Sequence, residues 1–278
     1  MTDTASLLVD SLHLAVAESG RGGRPLLLVH GFTGAKEDFG DWMDAFASDG
    51  WWAVAPDLRG HGASDKPEGE DHYSIATFAS DVLGVADALG WNHFALLGHS
   101  MGGAIVQEVA LRSPERIERL VLMNTHHGAF EGVDPSVVEA GVEIIRSQGL
   151  PALLEVLDAF ASDKAPADQR VRDTRPGYVE WNQSKLDAAS PAMYAALAME
   201  LVTRADRLHE LATFPAPTLV IVGEQDGPLV HAADRMAQAI PGSTHVVVAD
   251  AAHSPQFENP DAWWIAVSAF LAADSLIG

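Results

Sequence analysis

Residues 96–104 read LLGHSMGGA, an apolar run that halts at a serine set between glycines. Within it, Gly98-His99-Ser100-Met101-Gly102 has the G-x-S-x-G spacing in which small neighbours let a serine occupy a sharp, strained turn from strand to helix. The pattern alone also describes a plain Gly-rich turn. Its flanks favour the strained elbow: HFALLGH (93–99) has the continuous apolar character of a strand buried on both faces, and MGGAIVQEVALRSPE (101–115) follows as a helix-like segment.

Working outward, the same strand character recurs in HLAVAES (13–19), PLLLVHG (25–31), WWAVAPD (51–57), RLVLMNT (119–125), PTLVIVGEQD (217–226) and STHVVVADAAH (243–253). Stretches of helical period lie between several of them. In residues 73–90 the side chains of Ile75, Phe78, Val82, Leu83, Ala86 and Leu89 fall three and four apart, a single buried stripe that stops at Gly90. Alternation of this kind predicts an α/β fold, a doubly wound and mostly parallel sheet whose reactive groups sit on loops beyond the carboxyl ends of its strands. One segment breaks the rhythm. From His126 to Leu211 there is no strand-like run; residues 135–162 and 190–211 have helical period, separated by the polar DKAPADQRVRDTRPG (163–177). The expected division is a core domain of residues 1–125 and 212–278 with a helical insertion at 126–211.

Composition excludes several classes of function. The 39 acidic against 17 basic side chains give a formal net charge of −22, which repels phosphate backbones and anionic lipid. Neither nucleic acid nor a membrane is an expected partner. With no cysteine, a thiolate metal site and a Cys nucleophile are ruled out. The N-terminal MTDTASLLVD has no basic segment followed by an apolar one, and no apolar run approaches the ~18 residues of a membrane span, so a cytoplasmic location is the expectation.

A serine hydroxyl is a weak nucleophile near neutral pH. It needs a base to take its proton and a third group to hold that base in the right tautomer. Asp226 follows the run LVIVGEQ and His253 follows VVVADAA, so both emerge at the sheet edge where Ser100 lies, in the chain order Ser…Asp…His. The developing oxyanion needs donors as well. HGFTG (30–34) follows LLLV, and its glycines let a backbone N–H turn inward; the expected donors are the amides of Phe32 and Met101.

These elements, with PDLRGHGAS (56–64) and HSPQFENP (253–260), resemble the α/β-hydrolase fold family over nearly the whole chain. The resemblance implies Ser100 as nucleophile, Asp226 as acid, His253 as base, Phe32 and Met101 as the oxyanion hole, and residues 126–211 as the family's cap domain. The family's H-G pair matches His30-Gly31, and its D-x-R-G-x-G-x-S turn matches Asp57 through Ser64. GHSMGG is shared among the family's esterases, lipases, lactonases, C–C bond hydrolases, cofactor-free haloperoxidases and peptidases, so substrate class stays open. Relatives that hydrolyse epoxides or haloalkanes carry Asp where Ser100 stands.

The other histidines and acids have blander readings. His30, His61 and His99 belong to turns, and His13, His93 and His245 to strand starts. His126 and His127 follow a strand and are candidates for the pocket rim. Asp250 reads as turn chemistry. Asn124 stands where some family members carry the triad acid; uncharged, it cannot steady an imidazolium, though Asn124→Asp is expected to restore part of what Asp226→Asn removes. Trp181, Met193, Tyr194 and Met199 are pocket candidates in the insertion. The expected activity is cleavage of a small to moderate ester or lactone through an acyl-enzyme, by water and without metal or organic cofactor. Two rivals remain: a C–C bond hydrolase, for which Arg175 or Arg204 would hold a substrate carboxylate, and a small-molecule receptor on a hydrolase scaffold.

Overall fold

The computed structural model describes residues 2–159 and 164–273. Residues 1, 160–163 and 274–278, which include part of the 135–162 helical stretch, the first residue of the polar stretch and both ends of the expected core domain, lie outside the described residues.

Among the described residues eight strands form one sheet: β1 (Asp3–Val9), β2 (Leu12–Ser19), β3 (Arg24–Val29), β4 (Trp51–Pro56), β5 (Phe94–His99), β6 (Ile117–Met123), β7 (Thr218–Gly223) and β8 (Thr244–Val248). Their order is β1-β2-β4-β3-β5-β6-β7-β8. The β1/β2 and β2/β4 pairs are antiparallel, and all others are parallel. The chain runs from β3 to β4 on one side and then crosses back to β5 on the other. Strand order therefore reverses between β3 and β5, where an α/β sheet opens a crevice at its carboxyl edge.

Helices cover both faces: α1 (Met43–Ser48), α2 (Ile75–Ala88) and α3 (Met101–Arg112) precede β6. α4 (Pro135–Gln148), α5 (Leu150–Ala159), α6 (Pro166–Thr174), α7 (Tyr178–Asp187), α8 (Pro191–Thr203) and α9 (Leu208–Leu211) lie between β6 and β7, and α10 (Pro228–Ala239), α11 (Pro255–Glu258) and α12 (Pro260–Ala272) follow. Side chains alternate across a strand, so the apolar runs split into two cores. Leu26, Leu28, Leu97, Val121 and Ile221 meet Phe46 of α1 and Trp263 of α12. Leu27, Leu96, Leu122 and Val220 meet Phe78 of α2, Ile105 of α3 and Met236 of α10. Removing each such side chain from water is worth about 1.5–3 kcal/mol, which is why continuous apolar runs belong in the middle of this sheet.

Helix α2 has the buried stripe expected of residues 73–90. The Ser74 side chain caps it by accepting from the Thr77 amide, and Gly90 ends it at φ 74°. Between β6 and β7 the described residues contain helices only. α4, α5 and α8 converge on a cluster of Val142, Ile145, Leu150, Leu153, Tyr194 and Ala195. Phe32, on the loop after β3, packs against both this cluster and the main core.

Two elements depart from the sequence reading. β1 does not appear among the predicted strands; DTASLLV is an edge strand exposed along most of its length, so little apolar signal marks it. It pairs with β2 through a tight turn at Asp10, φ 53°. The polar stretch 163–177 is not a plain separator either, because its described part contains α6. That helix buries only Ala167 and Val171 and is supported by Pro166 in its first turn and an Asp168–Arg172 pair at i,i+4, so hydrophobic period does not reveal it.

Candidate active site

Ser100 joins β5 to α3 with φ 56° and ψ −120°, a conformation that side-chain-bearing residues rarely adopt and that costs about 1–3 kcal/mol. Close packing holds it there. A Cβ on Gly98 would lie 2.3 Å from the Gly102 carbonyl oxygen, and one on Gly102 would lie 2.2 Å from that of Val29. Strand and helix can meet this tightly only because both positions lack side chains. The elbow lifts Ser100 above the carboxyl edge of the sheet, at the crevice between β3 and β5.

His253 and Asp226 arrive there from the ends of β8 and β7. The Ser100 hydroxyl donates to His253 Nε2 at 2.9 Å, and His253 Nδ1–H faces the Asp226 carboxylate at 3.0 and 3.1 Å. Asn124, which follows β6 with φ 47°, donates through Nδ2 to Asp226 Oδ2 at 2.6 Å and to the Ala252 carbonyl at 2.8 Å. The loop carrying His253 is pinned further. His99 Nε2–H donates to the His253 carbonyl at 2.7 Å, and Glu258 accepts from the amides of Ala252 (2.5 Å) and Ser254 (3.1 Å). Enclosure by protein pulls the His253 pKa down, but the attraction and hydrogen bond of Asp226, with help from Glu258 and Asp168, outweigh it and hold the ring above its ordinary 6.5. Neighbouring His99 goes the other way. Burial, with the proximity of His253, pushes it down to about 3, so it stays neutral.

The loop after β3 passes against the elbow: a Cβ on Gly31 would stand 3.1 Å from Ser100 Cβ. His30 accepts from the Leu58 amide through Nε2 (3.1 Å), which leaves Nδ1–H to donate to the Gly31 carbonyl at 2.8 Å. Because the peptide is planar and trans, fixing that carbonyl also fixes the Phe32 N–H on its opposite side. His61 Nε2 in turn donates to the Phe32 carbonyl at 2.9 Å. Met101 is the first residue of α3, so its amide is among those that a helix start leaves without an intrahelical partner.

Comparison with known proteins decides the family. The family model described as alpha/beta hydrolase fold matches residues 24–260. The chain belongs to the alpha/beta hydrolase family. A 2-hydroxy-6-oxo-2,4-heptadienoate hydrolase of Pseudomonas putida is 30% identical over 91% of this chain and 90% of its own. The solved enol-lactonase of Burkholderia xenovorans LB400 superposes with a TM-score of 0.81 at 26% identity, covering 97% of this chain and 100% of that one. A thermophilic esterase of Thermogutta terrifontis does so at 0.80 and 25%, covering 97% and 98%.

In this hydrolase Ser100 and His253 face two cavities. One, of about 270 Å³, has Phe32, His99, Asp38, Asn182, Lys185 and Gln256 in its wall. The other, of about 430 Å³, is walled by Phe130, Val133, Pro228 and Leu229, with His126 at its side. His126 is buried and held down to about 4 by that burial and by the neighbouring His127. His127 does not line either cavity; it donates to Asp206 (2.9 Å) and accepts from Arg235 (3.0 Å). Tyr194 lies against Phe32 with the rings tilted and their centroids 4.3 Å apart, and Trp181 lies beneath the Lys185 ammonium at 3.8 Å. Met193 is buried against the Gly60 turn and Met199 packs on the α4/α5/α8 cluster, both away from the cavities. Arg175 is paired with Asp41 at 2.5 Å on the surface, and Arg204 also lies outside the cavity walls. The cation in the wall is instead Lys185, which no spacing in the sequence distinguishes; nor does any motif mark Phe130 or Leu229, and Gln256, though inside HSPQFENP, is not singled out there. Among the described residues no group of three or more His, Cys, Asp or Glu could hold a metal ion, and no helix is long and apolar enough to cross a membrane.

Proposed function

We propose that the chain is a serine hydrolase that cleaves carboxylic esters or lactones of small to moderate size, with residues 126–211 as a cap over the site. The unbroken Ser100–His253–Asp226 hydrogen-bond chain at the mouth of two cavities carries this reading. His253 Nε2 takes the hydroxyl proton as Ser100 Oγ bonds to the substrate carbonyl carbon. The carbonyl oxygen becomes an oxyanion facing the Phe32 and Met101 amides. Collapse breaks the bond to the leaving oxygen, which receives the proton from His253. Water then adds to the acyl-enzyme, giving its proton to His253, and the acid departs as that proton returns to Ser100. Asp226 keeps Nδ1 protonated and steadies the imidazolium throughout.

The experiment is labelling by a fluorophosphonate, together with turnover of p-nitrophenyl acetate. The parent protein labels and turns over, whereas Ser100→Ala does neither while melting at a similar temperature. Label on another residue, or undiminished turnover by Ser100→Ala, overturns the reading.

A further inference from the structure

The two cavities beside Ser100 differ in character, and the smaller one has an unusual charge arrangement. Lys185 of α7 and Asp38, on the 3₁₀ turn after β3, are 147 residues apart and meet there at 2.7 Å. Both side chains are nearly closed off from solvent, at 9% and 7% exposure. The ammonium also rests on the Trp181 ring. Lys185 is thus compensated before any substrate arrives. Two further carboxylates stand around His253, Asp226 behind its ring and Glu258 beneath its loop, so a carboxylate entering with a ligand would be the fourth and would meet net repulsion. The cavity still demands hydrogen bonds. Gln256 Oε1 is buried without a partner, as is His99 Nδ1, whose lone pair is free because Nε2 carries the proton toward the His253 carbonyl. Each such acceptor stays without a hydrogen bond until a donor reaches it, a penalty that an N–H or O–H of a ligand relieves.

We propose that the Lys185–Asp38 pair sets specificity, making the smaller cavity a site for a neutral group rich in hydrogen-bond donors, such as an amide or hydroxyl, and closing it to carboxylates. The apolar remainder of the ligand occupies the Phe130–Leu229 cavity. This rests on the proposed use of both cavities by substrate. It separates the chain from relatives whose names denote carboxylate substrates, such as the heptadienoate hydrolase.

Binding tests it without requiring turnover. 5-Phenylpentanamide and 5-phenylpentanoate have the same shape and differ in charge, and calorimetry gives Kd for each. The parent binds the amide at least tenfold more tightly. Asp38→Asn frees the ammonium and shifts the ratio at least tenfold toward the carboxylate, and adding Lys185→Gln abolishes that shift. Tighter carboxylate binding by the parent, an unchanged ratio in Asp38→Asn, or no binding of either compound at millimolar concentration overturns the proposal. The parent comparison stands even if the variants fail to fold. Fluorophosphonate labelling of the same sample separates the two readings: an unreactive protein with the expected binding ratio sinks the hydrolase mechanism alone, and a labelled protein with the wrong ratio sinks the specificity alone.

Discussion

At the scale of single residues, the Asp226 carboxylate serves two partners, His253 Nδ1 and the Asn124 amide. Exchanging it for Asn keeps the shape and removes the charge, so Asp226→Asn should lower kcat by about 10⁴-fold, the loss typical when a triad Asp becomes Asn. Adding Asn124→Asp moves the charge across a single 2.6 Å hydrogen bond rather than restoring it at the ring. Roughly a ten- to hundredfold recovery is expected, because a carboxylate near an imidazolium in a protein still contributes a few kcal/mol. Near-parent activity of Asp226→Asn would show that another acid orients His253. The same residue sets the pH profile. His253 must be neutral to accept the serine proton, and its pKa is raised in the fold, so kcat/KM is full at alkaline pH and falls as pH drops through a value above 6.5. Asp226→Asn removes the principal raising influence, so its acid limb moves to lower pH. A parent profile flat between about pH 5 and 9 counts against a histidine base.

At the scale of elements, the elbow depends on how closely β5, α3 and β3 approach. Gly98→Ala places a methyl carbon 2.3 Å from the Gly102 carbonyl oxygen, a clash that only movement of α3 relieves. Overpacking of this kind costs about 1–3 kcal/mol, and for a domain of this size each kcal/mol lowers Tm by roughly 2–4 °C. The expected result is a melting temperature lower by several degrees, with fluorophosphonate labelling of Ser100 slowed because its elbow has shifted. Unchanged melting and labelling would mean that the crossing has slack. The lower edge of the same site is held by the loop from Ala252 to Glu258, where a buried carboxylate accepts two backbone amides and His99 grips the intervening carbonyl. The proposed base is thus carried by a rigid turn, although it belongs to no helix or strand.

At the scale of the molecule, Ser100 is 8% exposed and stands between compartments of about 270 and 430 Å³, within the ordinary ~300–1,000 Å³ range of small-molecule sites when taken together. The helices between β6 and β7 supply Lys185, Asn182 and Leu201 to the wall of the smaller compartment, so the space beside Ser100 is limited in volume. Short acyl esters are therefore expected to outperform long ones. p-Nitrophenyl butyrate should exceed the palmitate by at least tenfold in kcat/KM. A preference for palmitate, or for emulsified long-chain glycerides, contradicts a site limited to this volume. The net charge of −22 acts in the same direction by disfavouring approach to anionic lipid surfaces.

Several features of this chain are properties of one-dimensional order and are legible without coordinates. Apolar runs such as LLLV and LVIVG become the double-sided strands β3 and β7, because alternation and continuity are local. Ser100, Asp226 and His253 each follow such a run, so a parallel sheet brings all three to one edge, where the structure indeed gathers them. What local pattern does not encode is the direction a side chain takes once elements dock. β1 and α6 bury too little apolar surface to announce themselves, and they form because a neighbour receives them. Lys185 reads as one polar residue on a helix and Asp38 as one acid in a loop. Only the docking of α7 against the turn after β3 makes them an ion pair inside the site. The same holds for Asn124, whose amide meets Asp226 across 102 residues of sequence. Chain order thus determined which chemistry gathers at the sheet edge, and tertiary packing decided which groups face it, because burial and pairing of polar side chains depend on contacts between distant segments.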